Sequence, residues 1–203
     1  MNRRNLLIGS GVFFVALAAV LLGIQLYTDA GTFRGSEIDP APPATDFALR
    51  EADGRLFRLS SQQDKVVLLF FGYANCPDFC PATLAEFRRV YEDLADDDLT
   101  DQVEFVFITI DPERDDPETA AAYAASFNPA FVGLSASEEE LQPVWDGYFV
   151  VREKEEVGSE AGYLMAHTTR VYAIDKEGRL RLTFPFGQGA EDMSQDVRRL
   201  LRE

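Results

Sequence analysis

The chain has 203 residues, 46% of them hydrophobic and 12% aromatic, which is material for one domain with a packed core plus an appendage. Its formal net charge is −16, and with Arg3 and Arg4 set apart at the start, residues 29–203 carry 17 basic against 35 acidic groups. A surface so acidic repels phosphate backbones and argues against nucleic acid as a partner, leaving simple solubility or attraction of cations and basic partners.

Residues 6–27 contain no charged side chain in 22 positions. At about 1.5 Å per residue they span roughly 33 Å, enough to cross the hydrocarbon core of a bilayer. The run exceeds the apolar stretch of about 7–15 residues in a cleaved signal peptide, and no small-x-small site follows it. Residues 1–28 therefore read as an uncleaved membrane anchor, one transmembrane helix. Arg3 and Arg4 should stay cytoplasmic, which makes a single-pass protein of a bacterial inner membrane with its domain in the periplasm. The arginine pair also loosely resembles a twin-arginine export signal, which would change the route and not the final side.

Residues 29–45 hold Pro40, Pro42 and Pro43 and lack apolar periodicity, so they read as a flexible tether. The globular domain is expected over residues 46–203. Residues 47–50 and 56–59, around Glu51-Ala-Asp-Gly-Arg, predict an N-terminal hairpin. Val66-Val-Leu-Leu-Phe-Phe predicts a central strand covered on both faces. Leu84, Phe87, Tyr91 and Leu94 recur at helical spacing, and a second buried strand follows over residues 103–110. Asp116-Pro117 predicts a helix start with residues 119–127 as its body. Ser137 with Glu140 predicts a capping box for a helix that Pro143 should shorten or kink. The charged run 153–156 reads as a solvated loop. Residues 170–175 and 179–184 predict a hairpin about Lys176-Glu-Gly, and residues 191–201 a closing helix. Strand, helix, strand, helix, hairpin and helix make an α/β domain of the thioredoxin type with an N-terminal hairpin extension.

The chemistry gathers where the first central strand ends, the place where such folds bind ligands. There the chain reads Phe71-Gly-Tyr-Ala-Asn-Cys-Pro-Asp-Phe-Cys-Pro, with Cys76 in the turn and Cys80 in the first helical turn. Positions four apart share a helical face, and a helix N-terminus lowers thiol pKa, so two thiolates can converge. These are the only two cysteines, and a bridge closing so short a loop constrains little of the unfolded chain, so stapling explains them poorly. On the oxidising side of a membrane they must be a reversible disulfide, a managed dithiol or a metal site. His167, the only histidine, lies in Leu164-Met-Ala-His-Thr-Thr, read as a loop beside that turn. A lone histidine is often an ordinary core or surface residue. Facing two thiols, it can complete a metal site of two sulfurs and one nitrogen, a set that suits Cu(I) through its thiolates and Cu(II) through the imidazole.

Gly72-Tyr-Ala-Asn-Cys-Pro-Asp-Phe-Cys-Pro resembles the hallmark of the Sco/SenC family of copper chaperones. Asp111-Pro-Glu-Arg-Asp, Phe127-Asn-Pro-Ala-Phe-Val-Gly-Leu and residues 163–175 follow in the family's order. The resemblance implies a thioredoxin-like fold, copper held by Cys76, Cys80 and His167, and assistance in building the CuA centre of cytochrome c oxidase. The implied partners are the oxidase subunit that carries CuA, other periplasmic copper chaperones and thiol reductants. Two places depart from the family: Ala166 stands where an aspartate usually precedes the histidine, and Ala74-Asn75 where a histidine often precedes the first cysteine. Neither removes a ligand, although a lost acid can change how His167 is oriented. The competing reading is a membrane-anchored thiol–disulfide oxidoreductase using Cys76 and Cys80 on the cysteines of an oxidase subunit. Three residues between the cysteines, against two in ordinary thioredoxins, favour metal. Asp111 and Asp115, with Arg114, read as caps and bridges of their own loop, the alternative being that Asp111 tunes the copper electrostatically or binds a partner.

Overall fold

The computed structural model describes residues 32–156 and 162–203; the apolar run of residues 6–27 lies outside them. Among the described residues no helix is long and apolar enough to cross a membrane. In chain order the strands and helices are Ser36–Glu37 (β1), Ala48–Arg50 (β2), Leu56–Arg58 (β3), Val66–Gly72 (β4), Phe79–Ala95 (α1), Val103–Thr109 (β5), Pro117–Phe127 (α2) and Val132–Leu134 (β6). They continue with Glu138–Gly147 (α3), Arg152–Glu156 (β7), Tyr163–His167 (β8), Val171–Ile174 (β9), Leu180–Phe184 (β10) and Ala190–Arg202 (α4).

Six strands form one sheet in the order β1-β10-β9-β4-β5-β6, and β2–β3 and β7–β8 form two separate ribbons. β4 runs parallel to β5 in register from Val66↔Val103 to Gly72↔Thr109, and antiparallel to β9. Every residue of β4 is buried, as its unbroken apolar run requires for a strand covered on both faces. Side chains alternate along it. Phe70 meets Phe87 of α1 edge-on at 6.5 Å, whereas Phe71 packs at 5.4 Å on Tyr148, just beyond α3. Phe87 is fully buried among Phe70, Phe105 and Phe131, so truncating it to alanine should cost about 3–5 kcal/mol.

The helix signals act where they were expected. The Asp116 carboxylate accepts from Thr119 N at 2.8 Å ahead of Pro117. Ser137 and Glu140 cap each other reciprocally, and α3 continues past Pro143 to Gly147. Gly133 in β6 lets α2 lie against the sheet edge, because a Cβ there would stand 2.1 Å from the Ala120 carbonyl oxygen. Both expected hairpins form, β2–β3 and β9–β10. With α1 and α4 packed together on the Phe70 face, this is the thioredoxin-like α/β arrangement.

Two expectations need correction. The tether expected over residues 29–45 is shorter, because the backbone N–H groups of Arg34 and Gly35 donate to the Asp196 carboxylate at 2.7–3.0 Å. Ser36 and Glu37 then pair with Thr183 and Leu182 as the sheet's edge strand. This segment is held by backbone bonds and one carboxylate, so it carries no apolar pattern. The charged run 153–156 is likewise no loop: it is most of β7, paired with β8 from Arg152↔His167 to Glu156↔Tyr163.

Candidate metal centre

β4 delivers the chain to Tyr73, a turn closes between Cys76 N and the Tyr73 carbonyl at 3.2 Å, and α1 begins at Phe79. Cys80 is therefore the second residue of α1, where backbone N–H groups have no partner within the helix. Asp78 makes no side-chain cap, and the Cys76 sulfur takes the place of one, accepting from Cys80 N at 3.4 Å. Pro77 and Pro81 bring no N–H to this turn. Both cysteines are free and buried.

His167 ends β8 and so sits on a strand, not on the loop expected for it. Its Nδ1 donates to the Thr168 carbonyl oxygen at 2.8 Å, which leaves Nε2 to face the sulfurs. That nitrogen lies 3.7 Å from the Cys80 sulfur. Tyr73 meets the imidazole edge-on at 5.9 Å, and Phe70 lies 6.4 Å away. The two sulfurs and one imidazole nitrogen fall within 4.8 Å of one another. Cys76 and His167 line a cleft of about 430 Å³ together with Asp78, Phe79, Glu155 and Met165, while Cys80 is fully buried.

One proton is shared unequally between the sulfurs. The Cys76 thiol is held down to about 3, first by the hydrogen bond from the Cys80 thiol and further by His167 and by the N–H groups of Asp78 and Cys80, against the cost of burial. The Cys80 thiol is pushed up for the converse reasons: it is the donor to Cys76, and it is buried. At neutral pH the pair thus carries one negative charge, and a bound cation can take up the second by displacing the Cys80 proton. Two soft sulfurs and an imidazole whose nitrogen faces them form a donor set fit for copper.

Asp115 does more than cap its own loop. Fully buried, it accepts through Oδ2 from the Ala74 backbone N–H at 2.9 Å and from the Thr109 hydroxyl at 2.7 Å, tying the cysteine turn to the end of β5. Its Oδ1 is buried without a hydrogen-bond partner, and burial raises its pKa. Asp111 accepts from Arg114 Nε at 2.5 Å and from the Tyr163 hydroxyl at 2.8 Å. Tyr73 had no role in the sequence reading beyond its place in the motif. Its hydroxyl accepts from Met165 N at 3.3 Å, and its ring walls His167, so it joins the cysteine turn to β8.

Fold and site together define a thioredoxin-like domain with two sulfurs and one imidazole grouped as a candidate metal centre at the head of its first helix. The SCO1/SenC family profile matches residues 36–202. An SCO2-like protein of Rickettsia prowazekii is 30% identical over 193 residues, covering 94% of this chain and 91% of its own. Among solved structures, apo Sco1 of Thermus thermophilus is 39% identical with a TM-score of 0.74, covering 83% of this chain and 97% of its own. Bradyrhizobium japonicum ScoI, solved with copper bound, is 34% identical with a TM-score of 0.70, covering 78% and 99%. The chain belongs to the SCO1/SenC family.

Proposed function

We propose that this protein is a copper metallochaperone that holds the metal through Cys76, Cys80 and His167 and assists assembly of the CuA centre of cytochrome c oxidase. The observation that carries the reading is the convergence of two sulfurs and an imidazole nitrogen within 4.8 Å of one another. Copper is the cargo: the sulfurs suit Cu(I), and the imidazole adds the nitrogen that Cu(II) prefers. The spacing of three residues between the cysteines and the imidazole beside them favour holding metal over exchanging disulfides. Replacing His167 with alanine tests the assignment. The Cu(II) form should lose its sulfur-to-copper charge-transfer absorption, Cu(I) binding should persist in part, and the apo-protein should melt as before. An unchanged Cu(II) spectrum would overturn the ligand assignment, and an unfolded apo-protein would make the histidine structural.

Residues 1–28 serve in this reading as the anchor in a bacterial inner membrane, with the domain in the periplasm beside the oxidase subunit that receives copper. The support is the uncharged run of residues 6–27 behind Arg3 and Arg4. Other copper chaperones would load the site, and thiol reductants would keep Cys76 and Cys80 reduced. A reporter fused after residue 40 that is active only in the cytoplasm would overturn the topology.

A further inference from the structure

His167 is carried by a ribbon that shares no backbone ladder with the main sheet: among the described residues, β7 and β8 pair only with each other. Yet a metal site needs its donors held to within a fraction of an ångström. Something other than the sheet must therefore set the height of the imidazole over the sulfurs.

An arginine over an aromatic ring stands at each end of the ribbon. At the His167 end, Arg152 is the cross-strand partner of His167, and its guanidinium lies 3.9 Å from the centre of the fully buried Trp145 ring of α3. The same guanidinium pairs with Glu138 at the start of that helix. Trp145 is itself fixed, since its Nε1 donates to the Thr109 carbonyl at 3.1 Å at the end of β5. At the far end, the Arg114 guanidinium lies 3.7 Å from the centre of the Tyr163 ring, and its Nη1 donates to the Tyr163 carbonyl at 2.9 Å. Asp111 closes that end by accepting from both Arg114 and the Tyr163 hydroxyl. Arg114 also reaches the Tyr73 ring of the cysteine turn, 5.6 Å from its centre. Stacked guanidinium groups are directional and stay charged at every working pH, so they hold an element in one orientation where a lysine would not.

We propose that Arg152 on Trp145 and Arg114 on Tyr163 are two clasps that mount the β7–β8 ribbon, and that both arginines are positioning residues for His167. The inference rests on the copper reading above, because positioning matters only if His167 is a ligand. It predicts separable effects. The sulfurs sit in the turn after β4 and on α1 and do not depend on the clasps, whereas the imidazole does.

The test uses the full chain with the double replacement Tyr163→Leu and Arg152→Gln, beside His167→Ala. In the apo-protein, amide hydrogen exchange in β7 and β8 should speed up at least tenfold while β4 and β9 stay protected. With copper, the Cu(II) charge-transfer band should fall toward that of His167→Ala, and Cu(I) affinity, read by competition with a chelator, should stay within about threefold of wild type. A wild-type Cu(II) band in the double variant, with the band lost in His167→Ala, would overturn the clasps and leave the copper site standing. A band that persists in His167→Ala would overturn the site itself and the clasps with it. Equal loss of protection in β4 and β9, or loss of Cu(I) binding, would make the arginines general supports and overturn the proposal. Should the double variant fail to fold, Tyr163→Leu alone decides by the same comparison, and Tyr163→Phe, which keeps the ring, should restore most of the band.

Discussion

A side chain on Gly72 would begin 2.9 Å from the sulfur of Cys80. The last residue of β4 is bare because the thiol of α1 and the Phe70 ring, also 2.9 Å away, occupy the space a Cβ would need. Gly72→Ala should therefore displace the sulfur or the backbone. We expect a loss of about 1–3 kcal/mol in urea unfolding, the usual range for overpacking. We also expect Cu(I) affinity to fall by more than tenfold against a competing chelator. Wild-type affinity with full stability would show that Cys80 has slack to move.

The shared proton makes a prediction about pH. Cys76 titrates near 3 in the fold, against about 8.5 for an unfolded thiol. A group whose pKa folding lowers adds stability in full above the unfolded value and loses it as pH falls through the folded one. The stability that the Cys76→Ser variant forfeits should thus shrink steadily from pH 8 to pH 4. Between pH 8 and pH 5 an ordinary thiol loses its thiolate roughly a thousandfold. Mass spectrometry after brief iodoacetamide treatment should find Cys76 alkylated at nearly equal rates at both pH values, with Cys80 slower throughout. A thousandfold fall at Cys76 would remove the thiolate from the apo site.

Asp115 pays the opposite penalty, since burial raises its pKa. An acid of that kind is least costly when protonated, so its contribution to stability is best below the unfolded pKa near 3.9 and worsens as pH rises through the folded value. Asp115→Asn keeps one acceptor for Ala74 N–H and the Thr109 hydroxyl and removes the buried charge. The variant should be as stable as wild type or more so at pH 8, and lose that advantage as pH falls toward 4. Unfolding curves at the two pH values check the sign. A variant that is weaker at pH 8 would show that the charge itself is needed to hold the cysteine turn.

Elements driven by burial could be read in advance. β4 and β5 are apolar runs, α2 and α3 begin at residues whose side chains do cap them, and the two thiols lie at helical spacing after a strand. What escaped reading is held by partners distant in sequence. Arg-Glu-Lys-Glu-Glu has no strand pattern, and it is a strand because Tyr163–His167 lies beside it and arginines fasten its ends. Val132–Leu134 is three residues long and contains a glycine, too short for periodicity to register. The role of Asp115 toward Ala74 spans 41 residues and leaves no local mark. The three donors were legible because their types are rare in this chain, whereas the residues that aim them are common ones.

The pairing of Ser36 and Glu37 with β10 bears on how the domain can be handled in isolation. A fragment trimmed to begin at Asp46 would strip the outer strand from the sheet and bare the Arg181 carbonyl, which now accepts from the Ile38 N–H. It would also lose the backbone donors that Asp196 now holds. Uncovered strand edges recruit other chains, so such a fragment invites self-association through β10. A fragment that starts at residue 32 keeps that edge covered by its own chain.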